Sequence, residues 1–260
     1  MIKSRSVSYF GGFIKMIGDN LISLDKVTST NKFLKENWHK LPSETVVWAL
    51  EQTEAYGRKK DKWYAPFGGL WFSVLFKPRK RPLIPFYYVR MYSLAVLDLL
   101  KKRYKLDAII KWPNDILVEE KKICGILGES IYNGNNPACV IVGVGMNVNN
   151  DLPEEIASTS VSLKQLIGKE APLNKILSEI NHIAYHSYYL KYFKPKTISN
   201  LTKIWLKNLN IKKGDKVKLK TLSGRIVIGE LVDIKSDCLE ILDASGEIKV
   251  FNSGEISVII

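Results

Sequence analysis

The alternation of apolar and polar positions lays out a series of elements. Residues 20–29, NLISLDKVTS, alternate roughly as a half-buried strand, and the following TNKFLKENW spaces its apolar residues as a short helix capped by Ser29 or Thr30. TVVWALEQ reads as a second strand and LWFSVLF as a third. Between them lies EAYGRKKDKWYAPFGG, sixteen residues without periodicity. A structureless stretch of that length inside a compact domain is usually functional or disordered. Residues 83–104 form a mostly apolar helix. AIIKW, ILVEE, KICGILGESIY and ACVIVGVGMNV then follow as strands of an antiparallel meander with EEKK as a tight polar turn, and helical spacing returns from about Asn174 to Phe193. Beyond Asn208 every segment of GDKVKLKTLSGRIVIGELVDIKSDCLEILDASGEIKVFNSGEISVII is a short β run punctuated by SG or SD, the pattern of a small barrel of five or so strands. The expected organisation is a larger α/β unit over residues 1–208 and a small β-barrel over residues 209–260.

One pentapeptide fits this pattern badly. KWPND, residues 111–115, places two charges, an indole and a proline between apolar strands. Proline removes a ladder donor, and lysine and aspartate are rarely buried unless paired, so the plainest reading is an exposed turn.

Composition narrows the classes. The 260 residues are 46% hydrophobic and 25% charged, which is ordinary for a globular protein able to bury a core and a deep pocket. Cys124, Cys139 and Cys238 have no metal-ligand spacing and do not make a disulfide framework, which points to a reducing cytoplasm. The N-terminal MIKSRSVSYFGGFIKMIGDN has no apolar core long enough for an export signal. The longest apolar tract, PLIPFYYVRMYSLAVLDLLKKRY, carries Arg90 and Asp98, so no membrane span is expected.

The net charge of +13 invites a nucleic-acid reading, but the lysines are scattered and no recognition-helix, zinc-finger or aromatic RNA-binding motif accompanies them. An acidic protein or a phosphorylated small molecule would suit the charge equally. GVGMN lacks the third glycine of a dinucleotide fingerprint. His182 and His186, four residues apart, have no evident third metal ligand.

Four blocks in order, DKVTSTN, EQTEAYGRKKDKWYAPFGGLWFS, KWPNDILVEEKKICGILGE and VGVGMNVN, closely resemble the biotin protein ligases. The C-terminal barrel is similar to the SH3-like domain of that family, so the resemblance spans nearly the whole chain. It implies a catalytic domain with a mixed, largely antiparallel sheet and flanking helices. It also implies a two-step reaction: biotin and Mg-ATP give biotinyl-5′-AMP and pyrophosphate, and a lysine of a biotin carboxyl carrier protein then takes the biotinyl group. The implied cofactor is Mg²⁺, the substrates are biotin and ATP, and the implied assembly is a homodimer. The Ser-Thr-Asn block begins within the first thirty residues, too early for a preceding helix-turn-helix domain, so sequence-specific DNA binding is not expected.

The resemblance also assigns residues. Lys111 contacts the biotin carboxylate and the α-phosphate, with Trp112 and Pro113 as backing. Ser29, Thr30, Asn31 and Gln52 suit the donors and acceptor of the ureido ring, although Ser29 and Thr30 equally suit helix capping. Trp71 and Phe72 are candidate walls for the bicyclic ring, or simply core. In the long loop, Gly57 admits the phosphate to the backbone, Arg58 pairs with it and Trp63 covers the nucleotide; closure would protect a mixed anhydride from water. Lys122 and Gly125 match the family's Lys-x-x-Gly, with a surface hairpin lysine as the bland alternative for Lys122. Gly143, Gly145 and Asn147 lie near the expected nucleotide, Asn147 being otherwise a turn asparagine. Asn114 and Asp115 either cap the turn or help order phosphates and metal. One departure stands out: the family commonly shows Gly-Arg-Gly-Arg where this chain has Ala55-Tyr56-Gly57-Arg58. An alanine is strained at any positive φ that glycine would tolerate, so a different loop path is expected.

Overall fold

The computed structural model of the protein describes residues 16–77, 83–235, 237–253 and 255–259. Most of the N-terminal segment in which an export signal was sought, residues 1–15, lies outside the described residues. The chain runs β1 (Leu21–Val27), α1 (Thr30–Asn37), β2 (Val46–Gln52), β3 (Leu70–Phe76), α2 (Pro85–Arg103), β4 (Ala108–Lys111), β5 (Asp115–Val118), β6 (Lys121–Asn133) and β7 (Asn136–Met146). It continues through α3 (Glu154–Ala157), α4 (Leu163–Ile167), α5 (Leu173–Ile183), a π-helical segment Ala184–Tyr189, α6 (Leu190–Tyr192) and α7 (Ile198–Lys207). The last strands are β8 (Lys216–Thr221), β9 (Ile226–Ile234), β10 (Cys238–Asp243), β11 (Ile248–Asn252) and β12 (Ile256–Ile259).

The first seven strands form one sheet in the order β1-β2-β3-β7-β6-β5-β4. Only the β1–β2 pair is parallel within it. Every residue of β3 is buried because helices cover both faces. On one side Leu34 of α1 packs with Val47, Leu75 and Ile141. On the other, Phe72 and Phe76 meet Tyr88 and Tyr92 of α2 at ring-centroid distances of 5.9 Å for Phe72–Tyr92 and 4.5 Å for Phe76–Tyr88. Burying side chains of this size contributes about 1.5–3 kcal/mol each, which fixes both helices on the sheet.

The apolar tract at α2 is a core helix that starts on Pro85, where a missing N–H is harmless. Arg90 is buried in it, with Nη1 donating to Thr202 Oγ1 at 2.7 Å and the guanidinium 4.9 Å from the Trp205 ring. Burial pulls its pKa down to about 10. Among the described residues no helix is long and apolar enough to cross a membrane.

The β5–β6 turn falls on Glu119 and Glu120, at φ 51° and 63°, the left-handed pair of a two-residue primed hairpin turn. The helix expected over 174–193 is interrupted by the π segment, which buries Tyr185, Tyr188 and Tyr189. Helix α7 was not anticipated, although Ile198, Leu201 and Trp205 carry its apolar spacing. The last five strands form a second sheet in the order β11-β10-β9-β8-β12, matching the expected strand number. Its buried residues, Leu219, Leu231 and Val258 among them, join the same apolar core as Trp205 and α2.

Candidate functional site

KWPND is the connection of a hairpin. β4 ends on Lys111, β5 starts on Asp115, and the two residues are paired across the turn, whose Trp112–Pro113 peptide is cis. Asn114 ties the turn to β6: its Nδ2 donates to Ile126 O at 2.9 Å, and its carbonyl accepts from Ile126 N at 3.0 Å. The turn therefore belongs to the wall of a cavity of about 310 Å³. Ser29, Thr30, Asn31, Gln52, Gly57, Arg58, Trp63, Phe72, Lys111, Asn114, Asp115, Lys122, Gly125, Gly143 and Gly145 all line it.

One wall is polar and closely bonded. Ser29 Oγ accepts from Lys32 N at 3.4 Å, so Ser29 caps α1 while also lining the cavity. Gln52 Oε1 accepts from Thr30 N at 2.7 Å. Ser73 Oγ donates to Asn31 Oδ1 at 2.5 Å. Thr30 Oγ1 lies 2.6 Å from Ser73 Oγ and 3.1 Å from Gln52 Oε1, so its single proton is shared between two acceptors in the same network. Asn31 Nδ2 donates to Glu129 Oε2 at 2.7 Å, and Glu129 Oε1 accepts from Lys35 Nζ at 2.6 Å. Gly143 makes room for this chain, because a Cβ there would stand 2.4 Å from Asn31 Oδ1.

The opposite wall is charged and incompletely bonded. Lys111 is half-buried, and its ammonium makes no hydrogen bond or ion pair with a described residue. Lys122 pairs with Asp115 Oδ2 at 2.7 Å and lies 4.9 Å from the Trp63 ring centroid. Asp115 Oδ1, Arg58 Nη1, Trp63 Nε1 and Trp112 Nε1 are buried without a hydrogen-bond partner among the described residues. Arg58 Nη2 donates to Ile256 O of the second sheet at 3.3 Å, and Val258 of that sheet also lines the cavity. Burial lowers the Arg58 pKa, with Asp115 and Asp61 opposing the shift.

The long loop is folded rather than structureless. Gln52 N donates to Ala65 O at 2.9 Å, Trp63 N to Ala55 O at 2.9 Å and Gly57 N to Asp61 O at 2.7 Å. The loop is thus a narrow excursion closed by its own main-chain bonds. Its positive-φ residues are Lys59, Lys60 and Gly68, at φ 57°, 62° and 96°, whereas Ala55 is buried beside Ala65 and Trp71 and avoids positive φ. The indole of Trp63 lies over two glycines: an added Cβ would meet it at 2.9 Å on Gly145 and 3.0 Å on Gly125.

Two expected residues stand apart from the cavity wall. Trp71 is fully buried behind Trp63, at 6.4 Å between ring centroids, with Nε1 donating to Pro66 O at 2.8 Å. Asn147 is also buried, with Oδ1 accepting from Asn150 Nδ2 at 3.2 Å. Conversely, Ser73, Glu129, Lys35 and Tyr56 belong to the site's polar network without having been expected there. The lone hydroxyl inside LWFSVLF is the one local signal among them. Among the described residues no group of three or more His, Cys, Asp or Glu is placed to hold a metal. His182 and His186 do share a helix face, 4.4 Å apart, with His186 Nε2 3.2 Å from Met16 Sδ.

Residues 22–147 match the model of the biotin/lipoate A/B protein ligase family. The chain is 28% identical over 267 residues to the bifunctional ligase/repressor BirA of Bacillus subtilis, covering 98% of this chain and 79% of that protein. It is 32% identical over 127 residues to the biotin--[acetyl-CoA-carboxylase] ligase of Paracoccus denitrificans, covering 48% of this chain and 53% of that one. The solved biotin protein ligase from Aquifex aeolicus in complex with biotin and ATP superposes with a TM-score of 0.75 at 32% identity, over 92% of this chain and 98% of that one. With the KWPND hairpin, the Ser-Thr-Asn cap and the terminal barrel all in place, the chain belongs to the biotin protein ligase family.

Proposed function

We propose that this protein activates biotin with ATP to biotinyl-5′-AMP and transfers the biotinyl group to one lysine of a biotin carboxyl carrier protein. The observation that carries this reading is Lys111, an ammonium without a partner among the described residues, on the wall of a cavity whose other side is an almost completely bonded polar network. A carboxylate and a triphosphate repel each other, and bringing them into line requires fixed cations. In the first step a biotin carboxylate oxygen bonds to the α-phosphorus of ATP, the bond to the β-phosphate bridge breaks and pyrophosphate leaves. Lys111 would neutralise both partners, and Arg58 would hold the adenylate phosphate under the loop. In the second step the neutral lysine amine of the carrier attacks the acyl carbon. The acyl–phosphate C–O bond breaks, AMP departs and the amine gives up a proton.

The ureido ring would lie on the polar wall. Gln52 Oε1 is already held by Thr30, which leaves the amide nitrogen as donor for the ring carbonyl. Phe72 supplies apolar surface beside it. Mg²⁺ bound with ATP would neutralise phosphate charge. Asp115 and Asp61, the carboxylates of the wall, suit a cation that arrives with its phosphates and needs only one or two protein ligands. Residues 1–208 would form the catalytic domain, and residues 209–260 the SH3-like barrel that closes the cavity through Ile256 and Val258. The reading includes a homodimer, which sedimentation would test, and a cytoplasmic setting, for which the three free buried cysteines are suited.

The deciding experiment is pyrophosphate release with Mg-ATP and either biotin, lipoate or octanoate. Biotin alone should drive it, and release driven by lipoate instead would overturn the substrate assignment.

A further inference from the structure

Tyr56 stands where the family commonly has the first arginine of the loop. Its main chain is paired across the loop with Lys62, but its hydroxyl leaves the loop altogether. It lies 3.1 Å from Glu129 Oε2 on β6 and 3.1 Å from Lys35 Nζ on α1. Lys35 can only donate, so the phenol accepts from Lys35 and spends its single proton on Glu129. Lys35 Nζ also pairs with Glu129 Oε1 at 2.6 Å and lies 5.5 Å from the Tyr56 ring centroid. Loop, helix and sheet therefore meet in one closed triangle of hydrogen bonds.

Glu129 serves two neighbours with the same oxygen. Oε2 takes the Tyr56 hydroxyl and also the Nδ2 of Asn31, whose own Oδ1 is bonded to Ser73 in the polar wall. Position of the loop and geometry of the wall thus depend on a common carboxylate. An arginine at position 56 would set a second cation beside Lys35 in competition for that carboxylate, whereas a phenol bonds to both groups. Burial raises the Tyr56 pKa, partly offset by Lys35, which keeps the donating proton in place.

We propose that Tyr56 is a positioning residue that fastens the loop shut through Glu129 and Lys35, holding Arg58 and Trp63 over the cavity before substrate binds. This deepens the biotin-adenylate reading and rests on it for its catalytic meaning. The loop would not need a ligand to close, and its closure would be coupled through Asn31 to the polar wall.

The loop provides its own probe in the tryptic bonds after Arg58, Lys59, Lys60 and Lys62, while Lys212 and Lys213, exposed before β8, provide a reference. The full chain without ligand is treated with trypsin and each cut is followed by mass spectrometry. Tyr56→Phe should speed loop cleavage about tenfold, the effect of losing a hydrogen bond to a charged group, and leave the reference cut unchanged. Glu129→Gln should act in the same direction, and the double variant should add little to either, as expected of one shared interaction. Loop cleavage of Tyr56→Phe at the wild-type rate, an equal rise at the reference site, or strictly additive effects would each overturn the proposal. With biotin and Mg-ATP, Tyr56→Phe should also lose biotinyl-AMP about tenfold faster than wild type, and equal retention would count against it. If the wild-type protein makes no adenylate, the activity assignment fails, while the protease measurement still decides the latch.

Discussion

The two walls of the cavity differ in how far their hydrogen bonds are completed. On the polar wall, Thr30, Ser73, Asn31 and Glu129 satisfy one another at 2.5–2.7 Å. On the charged wall, Lys111 has no described partner, and Arg58 Nη1 and Asp115 Oδ1 are buried with none. An unsatisfied buried polar atom costs about 1–3 kcal/mol, and functional sites are where such a cost persists. The polar wall is bonded within itself without a ligand, an arrangement that suits the recognition by shape proposed for it. The charged wall keeps bonding capacity for a group that brings negative charge.

The largest effect should come from the charged wall. Lys111→Ala should lower biotin-dependent pyrophosphate release roughly 100-fold to 1000-fold, because it removes a cation whose value lies in the transition state. Circular dichroism and the melting temperature should change little, since the Lys111 side chain bonds to no described residue and its main-chain pairing with Asp115 survives the substitution. Normal pyrophosphate release in this variant would erase the functional difference between the walls.

On the polar wall the expected change is in affinity. Gly143→Ala places a methyl 2.4 Å from Asn31 Oδ1, so Asn31 must move and its bonds to Ser73 and Glu129 must lengthen. Biotin binding measured by calorimetry without ATP should weaken about tenfold, in line with one or two lost hydrogen bonds. Unchanged affinity would show that ligand recognition does not need the preformed network.

Arg58 should govern retention of the intermediate more than its formation. Arg58→Gly removes the guanidinium and adds flexibility beside Gly57, so several-fold more biotinyl-AMP should escape to solution. Incubation with biotin, Mg-ATP and an unrelated lysine-rich protein would reveal it as added biotin on the bystander. Equal labelling by wild type and variant would reduce Arg58 to a loop charge.

The smallest effect concerns the buried thiols of the sheet. Burial pushes Cys139 from 9.0 to about 11 and raises Cys124 further still. A group whose folded pKa is raised contributes stability that is complete below its unfolded pKa and is lost as pH climbs toward the folded value. The urea midpoint should therefore hold steady up to about pH 9 and fall from there toward pH 11. Cys139→Ala should flatten part of that decline; an identical profile would show that Cys139 is not among the groups that cause it.

Most strands and the main helices were legible because periodicity and capping are local. The two-residue period of β1, the Ser29 cap and the turn at Glu119–Glu120 all act within a few positions. Helix α7 had a readable stripe in Ile198, Leu201 and Trp205, but it lies beyond Pro195, where the preceding helical spacing ends. The long loop read as structureless because its bonds are between main-chain groups, which residue type scarcely reports.

The site divides in the same way. Lys111, Arg58 and the Ser29–Asn31 block sit in contiguous motifs whose chemistry shows in their order along the chain, and the sequence by itself determined them as candidates. Only the tertiary structure decided that Trp71 backs Trp63 instead of lining the cavity, since adjacent strand residues point to opposite faces and packing selects between them. It also decided the role of Glu129, whose partners Asn31 and Lys35 lie 98 and 94 residues away. A lone glutamate in a strand has no local signature of such a task, because hydrogen bonding between side chains depends on distances that only the folded sheet sets.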